Sequence, residues 1–222
     1  MIRALIFDFD GLIVDTESAD YQTWRALYDA HGVHLDMARW NSGIGSYDTF
    51  DPYDYLAEQL GQPVDREVIR AEHRALLDAL MIDAVPLPGV LDWIAGAQRS
   101  GLRLGIASSS SHRWVEGFLA QLGLREPFQV ICCNDDVERT KPDPALYRLA
   151  LERLGVPPGH AVALEDSPNG VRAAKAAGLY CIAVPNPMTR GLDFDGHDLR
   201  LDSLADLSLD RFLDGLHVSE KG

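Results

Sequence analysis

The sequence has few basic residues and few cysteines, and it contains no long apolar run. Lysine and arginine together number 20, against 34 aspartate and glutamate residues, so the net charge at pH 7 is −14. Nucleic acids and anionic membrane surfaces are bound through basic surfaces, so neither is expected as a partner. A phosphate-binding site on this chain would have to supply its own local positive charge.

The three cysteines, Cys132, Cys133 and Cys181, lie in apolar segments and lack the spacing of metal ligands. They predict buried thiols in a reducing compartment. The start, Met1-Ile2-Arg3, leads directly into an apolar segment, so we expect no signal peptide. No apolar run approaches the roughly 18 residues of a membrane span. We therefore expect a cytoplasmic protein without a membrane partner.

Beyond residue 89 the predicted helices and strands alternate, which is typical of a parallel sheet with helices on both faces. Predicted strands cover residues 102–107, 128–133, 161–164, 179–184 and 199–201, and a first apolar strand covers residues 3–9. Residues 16–86 show helical periodicity and no strand pattern. We predict a doubly wound, Rossmann-like α/β core of residues 1–15 and 87–222, with residues 16–86 inserted as an all-helical domain.

Polar residues follow the first predicted strand. Because strand side chains alternate in direction, Asp8 and Asp10 would project to the same side if the extended backbone continued that far. When two carboxylates lie close together, their repulsion raises the pKa of one of them unless a cation is bound. Carboxylate oxygens are hard ligands, which suit Mg²⁺. A solvated acidic turn explains this spacing equally well.

Two further polar segments follow at later strand ends. The run Ser108–Ser111 lies between a strand and a helix, where hydroxyl and N–H groups can bind an anion. Lys141 precedes another helix and would reach a phosphate as a point charge. Taken separately, the serines are explained by a flexible turn with a helix cap, and the lysine by solvation.

The strand at 161–164 is followed by Glu165 and Asp166. Capping of the helix that starts at Pro168 would explain Asp166 but not both acids. In open α/β sheets, ligands bind beyond the carboxyl ends of the strands. The four strand ends together therefore predict a site that combines acids, hydroxyls and a cation.

These residues resemble the motifs of the haloacid dehalogenase-like hydrolases, in the branch with a helical cap after the first motif. The segment DFDGLIVDTE at residues 8–17 is close to that family's signature. Ser108 matches the second motif, Lys141 the third, and Glu165 with Asp166 the fourth. The resemblance covers essentially the whole chain and implies that residues 16–86 form a cap domain.

The resemblance implies that Asp8 attacks phosphorus to form an aspartyl-phosphate, while Asp10 acts as acid and then as base. Lys141 would be the third catalytic residue. A Mg²⁺ ion would be held by Asp8, Asp166 and the backbone carbonyl of Asp10, with Glu165 in a supporting position.

Ser108, the N–H of Ser109 and Lys141 would hold the phosphoryl oxygens. The implied enzyme is a phosphoric monoester hydrolase acting on a small phosphorylated metabolite. Displacement of a halide from carbon needs no divalent metal, so the acids argue against a dehalogenase. The oligomeric state is not determined by these patterns, and a monomer is the expectation.

The cap is expected to select the substrate, which points to a sugar phosphate-like metabolite. In β-phosphoglucomutases a histidine lies early in the first cap helix, where Ser18-Ala19-Asp20-Tyr21 stands here, and residues 43–50 lack the expected arginine. An acidic, aromatic cap suits a neutral or polyol leaving group, so a phosphatase is favoured. A phosphosugar mutase and a non-catalytic phospholigand-binding relative are the alternatives. Four aromatic residues either face the substrate or pack within the cap: Trp24, Tyr47, Phe50 and Tyr53.

Overall fold

The computed structural model describes residues 1–41 and 50–219. One sheet of six parallel strands occupies its centre, in the order β3-β2-β1-β4-β5-β6. The strands are β1 (Ala4–Phe7), β2 (Arg103–Ala107), β3 (Val130–Cys132), β4 (Ala161–Glu165), β5 (Tyr180–Ala183) and β6 (Leu199–Arg200). The predicted doubly wound parallel sheet is confirmed.

Helices precede and follow the strands throughout the described residues. They are α1 (Thr16–Ala30), α2 (Met37–Asn41), α3 (Pro52–Leu60), α4 (Arg66–Leu80), α5 (Val90–Arg99), α6 (His112–Gln121), α7 (Ala145–Leu154), α8 (Pro168–Ala176) and α9 (Leu209–Ser219). None of the helices in the described ranges combines the length and the apolar character needed to cross a membrane.

The central strand β1 shows why both faces of the sheet are covered. Its four residues are fully buried, and alternate side chains enter different hydrophobic clusters. Leu5 and Phe7 belong to one cluster, while Ala4 and Ile6 belong to the other. A strand buried on both faces reads as a continuous apolar run, as the sequence does here.

Helices α1 to α4 lie between β1 and the rest of the core in the chain, and they have a hydrophobic cluster of their own. Tyr28 is fully buried in this cluster, and its hydroxyl donates to the carbonyl of Pro52 at 2.6 Å. Asp51 caps α3 by accepting from the N–H groups of Tyr53 and Asp54. The inserted helical domain thus has a core, and its boundaries at residues 16 and 86 stay a prediction.

The first strand is shorter than predicted. It ends at Phe7 rather than Phe9, because the chain turns at once: the N–H of Ile13 donates to the carbonyl of Phe9 at 2.9 Å. Gly11 has a φ of 75°, a conformation that glycine adopts readily. The prediction that Asp8 and Asp10 project to the same side depended on extended backbone as far as Asp10. The backbone leaves the strand before Asp10, so this condition is not met.

Candidate active site

The carboxyl ends of three strands bring the predicted acids and the serine loop to one edge of the sheet. Asp8 follows β1, Ser108 follows β2, and Glu165 ends β4 with Asp166 next in the chain. The register fixes this arrangement, since Phe7 pairs with residues of both neighbouring strands. The order of strands changes direction at β1, which is where open α/β sheets form their ligand crevice.

The ammonium of Lys141 lies between two buried carboxylates. Its Nζ is 2.5 Å from Oδ1 of Asp8 and 2.6 Å from Oε1 of Glu165. The hydroxyl of Tyr147 donates to the same Oε1 at 2.5 Å. Burial disfavours the ammonium, but the charges of Asp8 and Glu165 outweigh this and raise the pKa of Lys141. Lys141 therefore supplies a buried positive charge within this acidic chain, and its contact with a phosphate stays a prediction.

Asp8 and Asp166 both titrate above the usual range of aspartate. Burial, opposed by the Lys141 ammonium and reinforced by the charge of Glu165, raises the pKa of Asp8 to about 6. Burial and the charges of Asp8 and Glu165 raise the pKa of Asp166 well above its ordinary value. One lysine does not neutralise three acids, so the cluster has an excess of negative charge.

The same acids form the one cluster of potential metal ligands found among the described residues. One oxygen from each of Asp8, Glu165 and Asp166 lies within 4.8 Å of the others, and all three residues are buried. Hard carboxylate oxygens that carry excess negative charge suit Mg²⁺ or a similar cation. The side chain of Asp10 does not belong to this cluster. This leaves its predicted role untouched, because Asp10 was expected to bind the metal through its backbone carbonyl.

The side chain of Asn186, which sequence reasoning missed, holds Asp166 in place. Its Nδ2 donates to Oδ2 of Asp166 at 2.7 Å and to the carbonyl of Gly11 at 3.4 Å. Its Oδ1 accepts from the N–H groups of Met188 and Thr189. A Cβ on Gly11 would lie 2.3 Å from both Asp166 and Asn186, so only glycine fits there.

The capping alternative for Asp166 is wrong. The N-cap of α8 is Ser167, whose hydroxyl accepts from the N–H of Gly170 at 3.1 Å. A helix start at Pro168 places the cap one residue later than Asp166. Because the serine caps the helix, the carboxylate of Asp166 is available to the site.

Asp10 accepts hydrogen bonds from four side chains. Oδ1 accepts from the hydroxyl of Thr16 at 2.8 Å and from the indole N–H of Trp114 at 2.7 Å. Oδ2 accepts from the hydroxyls of Ser110 at 2.7 Å and Ser108 at 3.3 Å. Thr16, Ser110 and Trp114 were not predicted as site residues, although the first two lie inside segments that were singled out.

Asp10 at the centre of this network and Glu17 nearby both hold their protons more tightly than usual. Burial and the charge of Asp8 raise the pKa of Asp10 despite its hydrogen bonds. Burial, followed by the charges of Asp10 and Asp20, raises the pKa of Glu17 to about 8. Carboxyl groups with a raised pKa close to an ionised carboxylate are a common pattern in acid–base catalysis.

The serine run forms the loop between β2 and α6. The N–H of Ser108 donates to the carbonyl of Cys132 at 2.9 Å, and its hydroxyl accepts from the N–H of Ser110. Ser109 lies between them and is partly exposed. Ser111 is the N-cap of α6. The helix cap predicted for this run is therefore present at Ser111, while anion binding by the run stays a prediction.

On the cap side, Asp20 of α1 pairs with His73 of α4. Nε2 of His73 is 2.7 Å from Oδ1 of Asp20, and the ring of Trp24 lies 4.6 Å from that of His73. Trp24 is 4 % exposed and also contacts Tyr53, while Phe50 packs against the same cluster. Packing within the cap therefore explains these three aromatic residues. Tyr47 and the rest of the segment 43–49 lie outside the described residues.

The family model of the haloacid dehalogenase-like hydrolases matches residues 2–178 of this chain. Since that is more than half of the 222 residues, the chain belongs to this family. The predicted family is confirmed, and so is the prediction of a hydrolase.

Three relatives illustrate the likeness. The YhcW protein of Bacillus subtilis (strain 168), which carries a provisional phosphatase name, is 44% identical over 98% of this chain and 99% of its own. Hexitol phosphatase B of Escherichia coli (strain K12) is 31% identical over 93% and 95%. A crystal structure of a CbbY mutant from Rhodobacter sphaeroides in complex with xylulose-(1,5)bisphosphate is 36% identical, covers 93% and 96%, and has a TM-score of 0.74. These names agree with the predicted phosphoric monoester hydrolase.

Proposed function

We propose that this chain is a Mg²⁺-dependent phosphatase that hydrolyses a small phosphorylated metabolite, a sugar or polyol phosphate, through an aspartyl-phosphate on Asp8. The observation that carries the proposal is the Lys141 ammonium, 2.5 Å from the carboxylate of Asp8 inside a buried acidic cluster. Phosphoryl transfer depends mostly on positioning and on neutralised charge, and this pairing supplies both.

Asp8 is the proposed nucleophile. A carboxylate is a weak nucleophile, so it must be ionised and aligned. With a pKa of about 6 it is mostly ionised at neutral pH, and its contact with Lys141 fixes its orientation. A bond forms between Asp8 oxygen and phosphorus while the bond from phosphorus to the ester oxygen breaks.

Asp10 is the proposed acid and base. It gives its proton to the departing ester oxygen, which leaves as an alcohol. It then takes a proton from a water molecule that attacks phosphorus, and the bond between Asp8 and phosphorus breaks to release phosphate. The raised pKa of Asp10 favours its protonated form, which is the form that donates a proton in the first step.

The remaining site residues bind and orient. Lys141, the hydroxyl of Ser108 and the N–H of Ser109 would hold the phosphoryl oxygens. Asp8, Asp166 and the backbone carbonyl of Asp10 would hold Mg²⁺. Glu165, which is occupied by Lys141 and Tyr147, would support them. A bound Mg²⁺ would neutralise the charge of the phosphoryl group and of the acids.

A neutral polyol or sugar is the proposed leaving group. Asp20 of α1 places a carboxylate close enough to act on Glu17, and its negative charge would repel a second phosphate. The relative named hexitol phosphatase supports a polyol ester. The CbbY complex favours a second candidate, a ketose bisphosphate, as substrate of the same site. We also propose that the protein is cytoplasmic, which its three free and buried cysteines support. We propose that it is a monomer as well.

The test measures phosphate release from a panel of hexitol, ketose and ketose bisphosphate esters, with Mg²⁺ and with chelator. Asp8→Asn is the test variant, and the exposed Asp195→Asn is its matched control. We expect Mg²⁺-dependent release that Asp8→Asn abolishes and Asp195→Asn retains. Isomerised sugar phosphate without free phosphate would indicate a mutase instead. Phospholigand binding without turnover would indicate a non-catalytic relative.

A further inference from the structure

The indole of Trp114 differs from the other donors to Asp10. Three of the four donors are hydroxyls, which rotate and can donate or accept. The indole N–H donates only, and its direction is set by the ring. The ring lies 4.7 Å from that of Phe118 at an interplanar angle of 73°, on the same helix. Trp114 is therefore the donor that can hold Asp10 in one orientation.

A residue of the inserted helical domain lies over this ring. The guanidinium of Arg74, on α4, is 5.7 Å from the ring centroid of Trp114. Nε of Arg74 donates to both carboxylate oxygens of Asp78, at 2.9 and 3.0 Å, which holds the guanidinium in place. A continuous set of contacts thus joins the inserted domain to Asp10, which lies on the core side.

We propose that Trp114 is a positioning residue for Asp10, and that Arg74 makes this hydrogen bond depend on the inserted domain lying over the site. The inference rests on the proposed function, in which Asp10 protonates the leaving oxygen. Because the indole N–H of Trp114 fixes Oδ1, Oδ2 is the oxygen of Asp10 whose hydrogen-bond partners are all rotatable hydroxyls. Those partners are the hydroxyls of Ser110 at 2.7 Å and of Ser108 at 3.3 Å, and Ser108 is the residue proposed to hold the phosphoryl group.

The test variant Trp114→Phe keeps an aromatic ring beside Phe118 and removes the N–H. The readout is kcat/KM for two esters, because this constant reports the steps up to the first irreversible one. A hexitol phosphate needs a proton on its leaving oxygen, whereas p-nitrophenyl phosphate releases a stable anion. We expect about a tenfold loss for the hexitol ester and little change for the nitrophenyl ester. An equal loss for both, or none for either, would overturn the proposal.

Arg74→Gln tests the link to the inserted domain. We expect a smaller loss for the hexitol ester alone, and no additional loss when Arg74→Gln is combined with Trp114→Phe, since Arg74 acts through the N–H. The control is Arg25→Gln, which removes another exposed arginine paired with an aspartate four residues later. Additive losses in the double variant, or a loss in the control, would contradict the link. Failure of the unmodified enzyme to hydrolyse either ester would instead refute the proposed function.

Discussion

A Cβ atom on Gly170 would lie 1.8 Å from Oε2 of Glu165 and 2.0 Å from its Cδ. Gly170 belongs to α8, and Glu165 is fully buried with its other oxygen held by Lys141 and Tyr147. The carboxylate cannot move aside without breaking these contacts. The glycine is therefore required by the site and not by the backbone conformation of the helix.

We expect Gly170→Ala to destabilise the fold by about 1–3 kcal/mol, because the added methyl group overpacks a buried contact. Displacement of Glu165 should lower turnover as well. Urea unfolding and kcat measure the two effects. Gly117→Ala is the matched control, since Gly117 is exposed on α6 and a Cβ there meets nothing within 4 Å. The free energy of unfolding of the Gly117→Ala control should rise by about 0.4–1 kcal/mol. Equal stability of the two variants would contradict this reading of Gly170.

Asn186 gives a second prediction, which concerns metal affinity. Its amide donates to Asp166 at 2.7 Å and stabilises that carboxylate in one orientation. We expect Asn186→Ala to weaken Mg²⁺ binding by about 10–100-fold, the usual effect of removing a partner of a metal ligand. Calorimetric titration of Mg²⁺ into the metal-free protein measures this without reference to turnover. An unchanged affinity in a variant of lower stability would mean that Asn186 only holds its own loop.

The strand ends were predictable because their signal is local. An apolar run followed directly by an acid or a serine places that residue at the carboxyl edge of the sheet, and Asp8, Ser108 and Glu165 followed this rule. Lys141 was noticed in the sequence as a cation before a helix, and the family motif then linked it to Asp8 across 133 positions of the chain. The family and the sheet could therefore be predicted without coordinates.

The partners of these acids were not predictable in the same way. Trp114 is 104 positions from Asp10, and Asn186 is 20 positions from Asp166, so only the folded chain brings them together. An aromatic residue in the first turn of a helix is ordinarily explained by packing. Nor could the serine run be divided into a cap at Ser111 and donors at Ser108 and Ser110 before their contacts were known.

Glu17 gives a third prediction, which concerns pH. Its pKa is raised from 4.5 to about 8 by burial and then by the charges of Asp10 and Asp20. The folded protein keeps this proton where the unfolded chain has lost it. The resulting stabilisation is complete below about pH 4.5 and is lost as the pH rises through about 8. The metal-free protein should therefore become less stable between about pH 5 and about pH 8.

Glu17→Gln tests this because the amide imitates the protonated acid at every pH. Urea unfolding of the metal-free variant should show a smaller fall in stability across that range than the unmodified protein. The control is Glu126→Gln, which removes an exposed carboxylate that precedes β3 at the opposite edge of the sheet. It should keep the original dependence. Parallel curves for Glu17→Gln and the unmodified protein would show that Glu17 does not hold its proton in the folded state.

The last prediction concerns the choice of ester. Asp20 is 2.7 Å from Nε2 of His73, and its charge acts on Glu17. A hydroxyl of a neutral leaving group can donate to this carboxylate, whereas a second phosphate is repelled by it. Removal of the charge should therefore act in opposite directions on the two substrate classes.

We expect Asp20→Asn to lower kcat/KM for a hexitol phosphate by about 3–10-fold, the effect of one weakened hydrogen bond. The same change should raise kcat/KM for a ketose bisphosphate, because repulsion of the second phosphate is relieved. Asp29→Asn is the control, since Asp29 is exposed on the same helix and pairs with Arg25. A fall by one common factor for both esters would assign Asp20 a structural role. A fall of kcat/KM for the hexitol phosphate together with a rise for the ketose bisphosphate would show that the charge of Asp20 faces the leaving group.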